Sequence, residues 1–153
     1  MKRIITQNAE KTKDLGKRMA RKINPGTIVC LSGNLGSGKT TFAQGFLKGL
    51  GAKGPFTSPT FSIIKPYTKK IEIINSKSKF KIIHIYHIDA YRVSAKDFQN
   101  LGWEEIVNGN IVIIEWAERI RKIIPKNATW IKFRWINEKM RELTFVTKKK
   151  APK

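Results

Sequence analysis

The sequence holds one cysteine, two histidines and eleven acidic residues among 153, and each scarcity excludes something. A single thiol, Cys30, cannot close an internal disulfide, so a disulfide-stapled scaffold is excluded and a reducing cytoplasm is the expected compartment. Two histidines and no Cys-x-x-Cys pair leave too few ligands for a structural zinc centre. Uninterrupted apolar runs reach four residues or so, as in Ile111-Val112-Ile113-Ile114, whereas a membrane-spanning helix needs about 20. Met1-Lys2-Arg3-Ile4-Ile5-Thr6 leads into polar residues instead of an apolar signal core, so neither a targeting segment nor a membrane partner is expected. Internal repeats and long linkers are also missing. Hydrophobic residues still make up 41% and charged residues 27%, which excludes wholesale disorder and leaves one globular domain. The expected division is a single domain over residues 1–147 and a basic tail over 148–153.

The shortage of acid has a counterpart. Thirty-one Lys and Arg set against eleven Asp and Glu give a formal charge of +20. Such a field attracts nucleic acid, nucleotides or an acidic partner surface. Lys, Ile and Asn supply 54 residues, the bias of AT-rich codons, so composition alone accounts for part of the charge. The basic residues are scattered, and Lys148-Lys149-Lys150 is the one run of three.

Local patterns give the fold class. Ile4–Thr6 starts a short strand, and Asn8 caps a helix in which Thr12, Leu15, Gly16, Met19 and Ile23 share a face. Asn24-Pro25-Gly26 ends that helix, and Thr27–Ser32 reads as a buried strand. A second helix begins near Lys39, with Phe42, Phe46 and Leu50 on one side. Phe61–Lys65, Ile71–Ile74 and Lys81–Ile88 read as antiparallel strands with exposed turns. Ser94-Ala95-Lys96-Asp97 matches a helix capping box. Ile111–Ile114 has the composition of a strand covered on both faces. Ile131, Phe133 and Trp135 alternate with Lys132 and Arg134, and Arg141–Val146 is expected to pair with them. The sum is an α/β domain of three layers, a parallel core holding a glycine loop and extended by antiparallel strands.

That loop carries the chemistry. Gly33-Asn34-Leu35-Gly36-Ser37-Gly38-Lys39-Thr40 fits G-x-x-x-x-G-K-[ST] between a strand and a helix, the context the phosphate-binding P-loop requires. Its glycines let backbone N–H groups turn toward a phosphate, and the helix N-terminus adds positive potential. Lys39 is expected to reach the β- and γ-phosphates, Thr40 to ligate Mg²⁺, and Thr41 to touch the α-phosphate. Two acids end apolar runs. Glu115 closes the all-aliphatic strand and suits the metal, directly or through water. Asp89 closes a strand broken by His84 and His87 and is placed beside the γ-phosphate or in a simple turn. Ser58-Pro59-Thr60 is either a nucleotide-sensing switch or an ordinary proline turn. Trp116 should sit near the nucleotide, while Cys30 is expected to be an inert core residue. With no Asn-Lys-x-Asp and no Asp-x-x-Gly, a regulatory GTPase is disfavoured. A small-molecule kinase and a basic nucleic-acid-binding ATPase stay as alternatives, the second with Trp130–Trp135 as its surface.

In order and spacing, Gly33–Thr41, Ser58-Pro59-Thr60-Phe61, His87-x-Asp89-x-Tyr91-Arg92 and Ile114-Glu115-Trp116 resemble the bacterial TsaE ATPases. Those proteins take part in forming the threonylcarbamoyladenosine modification of tRNA. Thr12-x-x-Leu15-Gly16 and Leu101-Gly102-Trp103-Glu104 also look like family features, and the resemblance runs from roughly Ile4 to Val146. It implies ATP and Mg²⁺ as cofactors, with Lys39, Asp89 and Glu115 catalytic and Thr40 and Glu115 on the metal. It further implies that Gly33–Thr41, Ser58 and Thr60 hold the nucleotide and that the segment around Thr6 and Gln7 approaches the adenine. Hydrolysis is implied to be slow alone and enhanced by docking to the TsaB–TsaD heterodimer, with any tRNA contact indirect. Arg92 or a donor from the partner would be the arginine finger. Two features depart from the family: Asn34 stands where Asp is usual, and Lys69–Lys81 reads as an enlarged basic hairpin.

Overall fold

A computed structural model describes residues 1–72 and 79–146. Seven strands form one sheet: β1 (Lys2–Thr6), β2 (Ile28–Ser32), β3 (Ile64–Glu72), β4 (Phe80–Asp89), β5 (Ile111–Glu115), β6 (Thr129–Trp135) and β7 (Arg141–Val146). Their spatial order is β1-β7-β6-β2-β5-β4-β3. Neighbours within β6-β2-β5-β4 run parallel. Antiparallel strands extend both edges, β7 and β1 on one side and β3 on the other.

The parallel centre follows from composition. Every residue of β2 and β5 is buried, as strands covered on both faces must be, and aliphatic side chains predominate in both. Alternation then sorts their side chains. Val29, Leu31, Ile111 and Ile113 face α1 (Ala9–Ala20) and α2 (Lys39–Gly49), where Leu15, Phe42 and Phe46 meet them. Ile28, Cys30, Val112 and Ile114 face α3 (Ala95–Asn100), α4 (Trp103–Val107) and the 3-10 segment Ala117–Ile123, packing on Phe98, Trp103 and Ile120. Burial pushes the Cys30 thiol up, so it stays neutral and inert. The expected three layers are thus present. No described helix is long and apolar enough to cross a membrane.

Helix signals were local and strong. The Asn8 side chain accepts from the Lys11 N–H at 2.9 Å and opens α1. Ser94 and Asp97 exchange hydrogen bonds in a capping box at α3, at 3.2 and 2.8 Å. Where α1 crosses α2 the backbones nearly touch: a Cβ on Gly45 would fall on the Lys13 carbonyl, and one on Gly49 would lie 2.6 Å from the Lys17 carbonyl.

The middle of the chain differs from expectation. Of three antiparallel pieces, Phe61–Ile63 is a turn, Ile63 having φ 66° and its N–H donating to the Pro59 carbonyl at 2.7 Å. β3 starts only at Ile64. β4 pairs antiparallel with β3 but parallel with β5, so it belongs to the central set. The misreading has a physical source. Phe80 and Ile82 are exposed because β4 begins beyond the core, whereas His87, Ile88 and Asp89 at its end are all buried. Residues 73–78 of the expected Lys69–Lys81 hairpin, with Ile73 and Ile74 among them, Thr147 and the 148–153 tail lie outside the described residues. β6 and β7 pair as expected, with Ile131 and Phe133 buried and Trp135 52% exposed.

Two outcomes are expected in unfolding experiments. Gly45→Ala should destabilise the fold by about 1–3 kcal/mol, read as a lower urea midpoint, since the added methyl forces the helices apart. Glu142 accepts from Arg134 at 3.1 and 3.0 Å, with Arg3 at 3.6 Å, and the Arg134 bonds hold its carboxyl below the usual carboxylate range. That contribution is present above the ordinary carboxylate pKa and is lost as pH falls through the folded value. Glu142→Gln should therefore lower the melting temperature at about pH 7 and match the unsubstituted chain at about pH 2.

Candidate active site

β2, β5 and β4 run parallel and end together, and the site lies beyond their carboxyl ends, where open α/β sheets bind ligands. After Ser32 the chain enters the glycine loop. Gly33 has φ 144° and lies so near β6 that a Cβ would come within 2.5 Å of the Phe133 carbonyl. Gly38, at φ 101°, starts α2. A side chain at either position would push the loop away from its neighbours.

The loop brings Lys39 into the interior, 4% exposed. Its ammonium donates to the Gly33 and Asn34 carbonyls at 2.6 and 2.9 Å and lies 3.9 Å from the centre of the Trp116 ring. Burial pulls Lys39 below the ordinary lysine pKa, and the carboxylates of Glu115, Glu118 and Asp89 act against that pull.

One residue along, the Thr40 hydroxyl donates to Glu115 Oε2 at 2.6 Å. The other oxygen, Glu115 Oε1, accepts from Nε2 of fully buried His87 at 2.7 Å. Asp89 stands directly across from Glu115 in the β4–β5 register. It accepts from the Tyr91 N–H at 2.9 Å and from the Thr60 hydroxyl at 3.2 Å, and Thr60 in turn shares a 2.7 Å hydrogen bond with Ser58. Apart from His87, these groups border a cavity of about 360 Å³ whose walls include Leu35–Thr41, Ser58, Thr60, Asp89, Tyr91, Arg92, Glu115 and Trp116. Ala9, Thr12, Glu138, Lys139 and Arg141 complete it.

Loop amides at a helix N-terminus with a buried cation suit phosphate. The hydroxyl and carboxylate oxygens of Thr40 and Glu115 are hard donors of the kind Mg²⁺ takes. Among the described residues no three His, Cys, Asp or Glu side chains form a metal cage.

The sequence model of the family described as "Threonylcarbamoyl adenosine biosynthesis protein TsaE" matches residues 6–143. The chain belongs to the TsaE family. A protein of Bacillus subtilis named "tRNA threonylcarbamoyladenosine biosynthesis protein TsaE" is 36% identical over 141 residues, 92% of this chain and 82% of that protein. A Rickettsia felis protein of the same name is 34% identical over 146 residues, 94% and 79% of the two chains. The crystal structure of Bacillus subtilis YdiB superposes with a TM-score of 0.67 at 30% identity, covering 94% of this chain and 83% of that one.

Most of the residues singled out in this TsaE sequence converge on one cavity. Gly33 and Asn34 do not line it and contribute carbonyls to Lys39 instead. Beside the segment around Thr6 and Gln7, Ala9 and Thr12 reach the cavity, while Thr6 is buried with its hydroxyl on Thr12 at 2.7 Å and Gln7 is exposed. Arg92 lines the cavity with its guanidinium carbon 5.0 Å from the centre of the Phe61 ring.

Three participants escaped sequence reasoning. His87 was given as a motif residue and weighed for zinc but assigned no part in the site, although its i, i+2 relation to Asp89 puts both on one strand face. Glu118 adds charge near Lys39 from the 3-10 segment. Arg141 donates to the Gly36 carbonyl at 3.1 Å from 105 residues away, and no local pattern marks it.

His87→Phe should destabilise the protein by about 1–3 kcal/mol, because Glu115 Oε1 is left buried without its donor. Repeated in a Glu115→Gln background, the loss should shrink, giving a coupling measurable in a double-mutant cycle of urea midpoints.

Proposed function

We propose that this TsaE chain binds ATP with Mg²⁺ in the cavity beside Lys39 and hydrolyses it. In this reading hydrolysis is slow alone and faster when the chain docks on the TsaB–TsaD heterodimer during threonylcarbamoyladenosine synthesis in the cytoplasm. One observation supports it above all. The buried Lys39 ammonium, the Thr40–Glu115 pair at 2.6 Å and the Asp89–Thr60 pair at 3.2 Å face one space.

The chemistry is positioning and electrostatics. Loop amides cradle the β- and γ-phosphates, and Lys39 exchanges its two carbonyl acceptors for phosphate oxygens. Since burial already disfavours the isolated ammonium, a dianionic neighbour stabilises it. Thr40 and Glu115 hold Mg²⁺, which supplies charge neutralisation on the phosphoryl oxygens. His87 fixes the direction of the Glu115 carboxylate. Asp89 or Glu115 orients the attacking water, and Thr60 with Ser58 couples Asp89 to the loop that senses the nucleotide. Charge developing in transfer is left for Arg92 or for a donor from the partner. An incomplete charge set explains why hydrolysis waits for docking.

The test is ATP hydrolysis by the purified protein with and without its cognate TsaB–TsaD pair. Stimulation by the pair is expected, and Lys39→Ala and Glu115→Ala should each lower the stimulated rate by about 100-fold or more. A full rate from the isolated chain, unchanged by the pair, overturns the docking part. Transfer of phosphate to a small acceptor in place of water would make the chain a kinase.

A further inference from the structure

Among the described residues, α3, α4 and the 3-10 segment leave much of one sheet face uncovered. On the α3 side, α4 and the 3-10 segment pack on β5 and β2, and β6, β7 and β1 extend past them. Strand alternation places Trp130, Lys132 and Arg134 of β6 on that face, beside Val146, Thr144 and Glu142 of β7 and Arg3 and Ile5 of β1. The ion pairs from Arg134 and Arg3 to Glu142 show that these three side chains share it.

Where the face meets the 3-10 segment there is a second cavity, about 340 Å³, bordered by Arg121, Lys126, Trp130, Lys132 and Val146. No acid lines it. The Arg121 guanidinium carbon lies 4.2 Å from the centre of the Trp130 ring, so the indole holds a planar cation at the rim. Glu142, the one carboxylate that β6, β7 and β1 place on the face among the described residues, is engaged by Arg134 and Arg3.

We infer that this face binds single-stranded RNA. Lys126, Lys132 and Arg121 take phosphates, and a base stacks at the Arg121–Trp130 pair. A ribbon of cations tracks a phosphate backbone, whereas stacked arginine and indole offer a flat surface to any base. An open basic sheet face with an aromatic at its rim meets both needs. RNA is chosen over DNA because the family description concerns a tRNA modification. The face shares no residue with the Lys39 cavity, so the ATPase reading and this one can fail separately.

The experiment is fluorescence anisotropy of a labelled 12-nucleotide single-stranded RNA with the full chain, titrated at several salt concentrations. Binding should fall with salt at a log–log slope of about −2, three phosphates at about −0.7 each. Lys126→Glu with Lys132→Glu should weaken binding at least tenfold and flatten the slope by about 1.4. Lys22→Glu with Lys53→Glu, in the loops that close α1 and α2, alters net charge equally and should change affinity less than about threefold. Trp130→Leu should weaken binding about tenfold at unchanged slope, and if that variant fails to fold, the lysine pairs decide. Equal weakening by both lysine pairs assigns binding to net charge and overturns the proposal. So does absence of binding at about 50 mM salt, tighter binding of the matching DNA strand, or displacement by polyglutamate as effective as by unlabelled RNA.

Discussion

A carboxylate buried at the end of a central strand organises this molecule. Glu115 is 2% exposed, and a charge so placed persists only with partners. It has one on each oxygen: Thr40 from the helix that follows the glycine loop, and His87 from the neighbouring strand. Through those two bonds the register of β4 against β5 and the start of α2 are tied to one point. Asp89 is carried to its place by the same register. The site is a consequence of how three parallel strands end.

The helices on the other side of the sheet serve that alignment. Glycines at the α1–α2 crossing allow backbone contact, which seats Phe42 and Phe46 over β2 and β6. It also brings Ala9 and Thr12 to the cavity. A looser crossing would move both the floor of the loop and one wall of the pocket. Packing density here acts on geometry as well as on stability.

Much of this was legible in the chain. The glycine loop, both central strands, the Asn8 and Ser94 caps and the β6–β7 pair rest on local pattern, because neighbours in sequence supply the deciding contacts. The role of β4 was not legible. Its exposed first half imitates an edge strand, and its buried end is explained only by the strand beside it. His87 was seen in its motif but given no role, because its carboxylate partner lies 28 residues away. Arg141 was invisible for the same reason, at greater distance. Local chemistry announces itself; a side chain recruited across the sheet does not.

The Arg141 contact has a consequence for how the molecule is made. The glycine loop is encoded in the first quarter of the sequence, yet one of its carbonyls, on Gly36, is held by a side chain at the start of the last strand. During synthesis the loop emerges early and waits for β7 to pair between β6 and β1. Until then it lacks that anchor, and the pocket lacks the wall that Glu138, Lys139 and Arg141 provide. A chain still leaving the ribosome is therefore unfinished at its most recognisable motif.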